Sequence, residues 1–253
     1  KRFLLSVGCL LSIHFTALFF LTLFRLVFFF SANYDFPDQE HVGFMSIWPA
    51  FIRGVWFDNV IACYILLIPL VAVSISALFN YYGKILWNVT CIFFSLFYGI
   101  VLLVTAANIP SFQYFFKIIN SSVFNWFGYM NTTAGMVFGE TSYYPPLIGF
   151  LLTLVLFIWL MRRLIRHFQR LLNTKNPSVF WLDRIYIFLT AGICIGLCLF
   201  GIRGRTGYNP IKVSAAYYCT DPFLNQLGIS PVFNLLSSTL DDSRKENRYL
   251  HLM

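Results

Sequence analysis

At 253 residues, with 58% hydrophobic and only 11% charged side chains, this chain is too apolar for a water-soluble globule, which carries about 25% charged residues. Its formal charge of +8 is not a nucleic-acid signal, because nine of the eighteen basic residues gather at the ends of apolar runs, where anionic headgroups attract them. The composition predicts an all-α polytopic membrane protein, and thirty Phe with fourteen Tyr suit its lipid-facing and interfacial positions.

Five runs approach or exceed the ~20 residues that a hydrocarbon core of about 30 Å demands of a helix: 3–30, 60–79, 85–107, 146–165 and 185–202. The first is too long for a signal-peptide core and lacks a small-x-small cleavage site soon after it, so it reads as a retained span. With Lys1 rather than Met in front, residues upstream are expected. Arg25 lies near the far end of this span, where its expected role is snorkelling to the interface.

Before the second run, 42–57 is apolar apart from Arg53 but interrupted by Pro49 and Gly54. It is expected to be a re-entrant or surface-lying piece, with Trp48 and Trp56 at the interface. After the third run, 111–127 places Phe112, Phe115, Phe116, Ile119, Val123 and Phe127 at near-helical spacing, which predicts an interfacial helix. The fourth run continues as an amphipathic helix. Arg162, Arg166 and Arg170 fall on one face, with Leu160, Leu164, Phe168 and Leu171 on another.

Lys1, Arg2, Lys84, Arg162, Arg163, Arg166, Arg170, Lys175 and Arg184 all fall on one side of a five-span layout, opposed there only by Asp183. Basic residues near span ends favour the cytoplasm, so 31–59, 108–145 and 203–253 are expected to face outward. The expected location is the bacterial inner membrane with the C-terminal side extracytoplasmic. Residues 1–202 form the predicted transmembrane domain, and 203–253 a junction and linker.

In that junction, Asp221-Pro222 and Ser230-Pro231 each set a capping side chain before a proline at the first helical position, where a missing N–H costs nothing. Charged residues crowd only after Leu240, with Asp241, Asp242, Arg244, Lys245, Glu246 and Arg248 close together. This turn to soluble composition predicts a linker or surface helix leading to a further soluble domain.

Four pieces carry a family resemblance: Phe51-Ile52-Arg53-Gly54-Val55-Trp56-Phe57-Asp58, Ala107-Asn108-Ile109-Pro110, Gly139-Glu140-Thr141-Ser142-Tyr143, and the junction 203–238. With them the chain resembles the N-terminal membrane domain of the lipoteichoic acid synthase family, in its Bacteroidota-like form. The resemblance implies an outward-facing alkaline-phosphatase/sulfatase-like domain. That domain would transfer a phosphoglycerol-type or phosphoethanolamine-type group from a membrane lipid, or hydrolyse a related ester. It also implies a threonine nucleophile and a divalent cation, manganese or zinc, in that soluble domain, and no position of this chain matches those motifs.

The expected partners are therefore membrane lipids, with a phospholipid headgroup donor among them. Arg53, Arg203 and Arg205 are the candidates for an outward-facing cradle around a lipid phosphate, with Asp58 orienting an arginine. The bland alternative pairs Arg53 and Asp58 with each other, with Arg25 or with a neighbouring helix end. His14, His41, His167 and His251 are scattered along the layout, and Cys194 with Cys198 reads as a pair of small buried hydrophobes rather than a zinc or redox pair. Two other function classes stay open, a small transporter or flippase subunit and a structural assembly protein. The transporter class lacks the internal repeat it usually shows.

Overall fold

The computed structural model describes residues 2–32, 44–129, 135, 139, 141–172 and 181–250. It is helical, with no strand among the described residues. The helices are α1 (Arg2–Ser31), α2 (Phe44–Leu78), α3 (Lys84–Phe115), α4 (Tyr144–Leu172), α5 (Trp181–Arg203), α6 (Pro222–Leu227) and α7 (Pro231–Leu250). Short 3₁₀ segments lie at Ser121–Tyr129, Thr141–Tyr143 and Val213–Ala216. The helices α1 to α5 are long and apolar enough to cross a membrane, so this is an all-α multi-pass membrane protein. Hydroxyls inside them turn back on their own backbone: Thr16 donates to the Ser12 carbonyl, Ser74 to Leu70, and Thr105 to Val101, each at 2.7 Å. Each of these three hydroxyls is thereby satisfied by its own helix.

Three expectations change. The stretch 44–57 is not a separate re-entrant piece but the first part of α2, a single helix of 35 residues. Pro49 falls near its start, where one missing N–H removes little, and the gap left by Gly54 is filled by the Arg25 side chain. The predicted interfacial helix over 111–127 is instead split: α3 runs on through Pro110 to Phe115, the chain turns at Phe116 (φ 53°), and a 3₁₀ segment follows from Ser121. On α4 the buried stripe is Phe157, Met161, Ile165 and Leu172, one position round from the predicted apolar face, and Leu171 is exposed. Lys1, His41, Glu140, Lys175, His251 and positions 42–43 lie outside the described residues.

The chain forms two compact units. The first comprises Lys1–Phe20, Asn59–Ile100 and Thr153–Pro210. Its core is aromatic, with Tyr98 edge-on to Phe157 at 5.3 Å and Phe20 edge-on to the same ring at 6.1 Å. A buried polar contact joins His14 Nε2 and Asn59 Oδ1 at 3.0 Å, and the Cys198 thiol donates to the Cys63 carbonyl at 3.3 Å.

The second unit comprises Leu21–Asp58, Val101–Leu152 and Ile211–Met253. Both proline-marked helix starts of the junction are present. Asp221 caps α6 by accepting from the Leu224 N–H at 2.8 Å, and α7 begins at Pro231, with Asn234 N–H donating to the Ser230 carbonyl at 2.9 Å. Phe223 packs on Phe28 and Phe112, and Phe233 on Phe57 at 4.8 Å, so α6 and α7 complete the core of this unit. One face of α7 is laced to the 119–121 segment. Asn234 donates to the Ile119 carbonyl at 2.9 Å, Ser238 Oγ accepts from Ser121 N–H at 2.8 Å, and Ser121 Oγ donates to Asp242 at 2.5 Å.

That last bond has a pH signature. The Ser121 hydroxyl, with a smaller contribution from Lys245, holds the Asp242 carboxyl below its ordinary range. A lowered folded value gives support that is complete above about pH 4 and fades as pH falls through it. Limited proteolysis of α7 is expected to speed up in that acid window, and Ser121→Ala to flatten the pH dependence. Equal acid sensitivity in both proteins would refute the assignment.

Candidate functional site

The charged residues near the start of α2 form a folded polar site in the second unit. Arg25, read as a snorkelling residue, is instead 5% exposed and makes a buried ion pair, Nη2 to Asp58 Oδ2 at 2.5 Å. Its Nη1 donates to the carbonyls of Leu227 and, at 3.1 Å, Ile229, so it closes the end of α6. A cation at that end offsets the partial negative charge of the last carbonyls. Snorkelling loses because partners within the fold satisfy the charge where it stands.

Gly54 makes this possible. A Cβ built there would overlap the Arg25 guanidinium at Cζ, Nε and Nη1, so the guanidinium lies flat against the α2 backbone where a side chain is missing. Arg25 Nε has no hydrogen-bond partner among the described residues, and Arg25 lines a small cavity with Thr105 and Asn108. Asn108 itself is buried, and its Oδ1 accepts from the Ile119 N–H at 3.0 Å, holding the turn that follows α3.

Arg53, one turn before Phe57, is half-buried. Its Nε donates to the Ala215 carbonyl at 3.2 Å, and its guanidinium lies over the Tyr218 ring, 4.5 Å from the centroid. Tyr218 is fixed in turn, its hydroxyl donating to the Ser46 carbonyl at 2.6 Å. Burial foremost, with Cys219 next to it, pushes that hydroxyl up from its ordinary pKa, against the opposing pull of Arg53, so it stays a donor. The loop carrying Tyr218 is clamped by Asn225 of α6, whose Oδ1 accepts from Tyr218 N–H at 2.9 Å and whose Nδ2 donates to the Cys219 carbonyl at 2.7 Å. Both Arg53 Nη nitrogens remain without a hydrogen bond among the described residues. The result is a guanidinium held by its Nε and its face, with its outer edge open to an anion.

The four sequence candidates divide between the units. Asp58 and Arg53 belong to the second, and the arginine that Asp58 holds is Arg25, outside the expected trio. Arg203 and Arg205 belong to the first. There Arg203 Nη2 donates to the carbonyls of Gly207 at 2.5 Å and Tyr208 at 2.7 Å, closing its own loop, while Arg205 is exposed. Sequence reasoning named Asn108 only within a resemblance piece, with no role, and gave none to Asn225 or Tyr218. A polar amide in an otherwise apolar stretch was the available signal for both asparagines.

Among the described residues no three His, Cys, Asp or Glu side chains come together to hold an ion. Comparison of the chain with protein-family models, curated proteins and solved structures finds no match to any of them.

Proposed function

We propose that this chain is the membrane platform of an extracytoplasmic phosphotransferase or sulfatase-like enzyme. In this reading it sits in the bacterial inner membrane with α6 and α7 on the outer side. It tethers the enzyme's catalytic domain at the leaflet that holds the lipid donor, and Arg53 holds the donor's phosphate. The transferred group is phosphoglycerol-like or phosphoethanolamine-like. A hydroxyl supplied by the catalytic domain bonds to the phosphorus as the phosphorus–oxygen bond to diacylglycerol breaks, and diacylglycerol leaves as an alcohol with the proton that the hydroxyl gives up.

The observation that carries the reading is Arg53. Its Nε and ring face are occupied by Ala215 and Tyr218, leaving an unpaired guanidinium edge of the kind that grips a phosphodiester. The four pieces in which the chain resembles the lipoteichoic acid synthase family support it, as does the basic side formed by Arg2, Lys84 and the α4 arginines. Tethering itself contributes by raising the effective concentration of enzyme at the headgroup layer.

The test is diacylglycerol release by the full-length gene product in proteoliposomes of phosphatidylglycerol or phosphatidylethanolamine, with manganese or zinc supplied. Arg53→Gln is expected to raise the KM for lipid about tenfold, as loss of one charge-assisted bond predicts, with a smaller change in kcat. Arg53→Lys should recover part of the loss. Unchanged lipid dependence in Arg53→Gln would end the headgroup role. A native reading frame that stops directly after Met253 would end the enzyme reading altogether.

A further inference from the structure

The arginines of α4 belong to the first unit, and Arg53 to the second. Arg162, Arg163, Arg166 and Arg170 are all exposed, and α4 contains no Asp or Glu. None of them forms an ion pair among the described residues, where the pairs present are Arg25–Asp58 and Lys245–Asp242. They cannot turn inward, because Phe157, Met161 and Ile165 hold the opposite face of the helix buried.

Their position along the helix is equally specific. The 29 residues of α4 extend about 43 Å at 1.5 Å per residue, more than a hydrocarbon core of about 30 Å, and Arg162 comes about 27 Å from the first residue. The arginines therefore begin where the hydrocarbon ends. Just before them, Val155, Leu156 and Trp159 are exposed and apolar. Val155, Trp159 and Arg163 follow one another at four-residue spacing, one line of the helix surface. Arg163 lies over the Trp159 ring, 5.3 Å from its centroid, and Arg166 Nε donates to the Arg162 carbonyl at 3.2 Å, so both guanidinium groups are directed rather than loose.

From this sequence of surfaces we propose that the exposed arginine face of α4 binds anionic phospholipids. Acyl chains lie along Val155, Leu156 and Trp159, and the phosphodiester sits among Arg162, Arg163, Arg166 and Arg170. The apolar approach is what selects a lipid over a free anion. Guanidinium forks match phosphodiester oxygens in pairs, which a lysine ammonium does not do. This inference does not depend on Arg53 or on any catalytic domain.

The experiment measures the relative association of spin-labelled phosphatidylglycerol and spin-labelled phosphatidylcholine with the reconstituted chain. The wild type is expected to prefer phosphatidylglycerol. The variant with all four arginines changed to glutamine should lose about tenfold of that preference, and the four-lysine variant should fall between. Neutralising Arg244 and Lys245, which are also exposed, should leave the preference unchanged. Glutamine at these exposed positions leaves the buried face of α4 intact, and unchanged thermal unfolding would confirm a folded variant. Three results would overturn the proposal: no preference in the wild type, an equal loss on neutralising Arg244 and Lys245, or displacement of the lipid by inorganic phosphate. The last would assign the face to a free anion.

Discussion

Replacing Asp58 with alanine is expected to destabilise the fold by about 3–5 kcal/mol, the cost of breaking a buried ion pair on one side only. The loss follows from what stays behind. Arg25 keeps its two carbonyl partners, Leu227 and Ile229, but its charge loses the carboxylate it is paired with, in a place where Arg25 is 5% exposed and Asp58 2%. Both side chains are buried, so bulk water has little access to replace the carboxylate. Thermal unfolding in detergent, with hydrogen exchange of the α6 amides, would measure it. The double variant Arg25→Met with Asp58→Leu should recover part of the loss in global stability, since no charge is then left buried. It should still expose α6 amides to exchange, because two carbonyls have lost their donor. A double variant no better than Asp58→Ala would show that the charge is not the cause.

Gly54→Ala is expected to destabilise by about 1–3 kcal/mol, against the usual sign for such a change in a helix. Within an ordinary helix alanine gains up to about 1 kcal/mol over glycine, because it restricts the unfolded chain and favours the helical state. Here the new methyl would occupy the volume of the Arg25 guanidinium. A long side chain normally moves aside at little cost, but this one is held by Asp58, Leu227 and Ile229 together. Displacing it breaks all three bonds or shifts α2. The check is the same unfolding assay, with Gly54→Ala repeated in the Arg25→Met, Asp58→Leu background. There the substitution should become neutral or stabilising, and an unchanged penalty would place the clash elsewhere.

These two positions also show what the sequence makes legible. Apolar runs bounded by basic residues locate all five spanning helices, because lipid leaves the backbone no alternative to a helix. Asp221-Pro222 and Ser230-Pro231 locate α6 and α7, because a cap and a proline act on the next turn alone. Gly54 misleads for the opposite reason. Read locally it is a helix breaker, and its meaning is supplied by Arg25, 29 positions earlier. Arg25 misleads likewise, since its partners include main-chain carbonyls of Leu227 and Ile229, and main-chain atoms carry no mark in a sequence. Of the candidate site, Arg53 and Asp58 were visible as charges beside a span. The clamp of Asn225 on the Tyr218 loop was not, because it depends on a turn whose course only the packed unit defines.

The Arg25 bonds also set an order of biosynthesis. When α1 emerges, a guanidinium sits near the far end of an apolar helix with nothing to neutralise it, a charge that costs about 2.5–3.5 kcal/mol at the centre of an inserting segment and less toward its end. Its counter-charge arrives 33 residues later with Asp58, and its carbonyl acceptors arrive 202 and 204 residues later. The helix that carries Arg25 is thus made long before it is finished. Until Ile229 has left the ribosome, α1 and α2 can pair but cannot fully settle, and a nascent chain stalled before α6 would present quality control with a half-satisfied arginine.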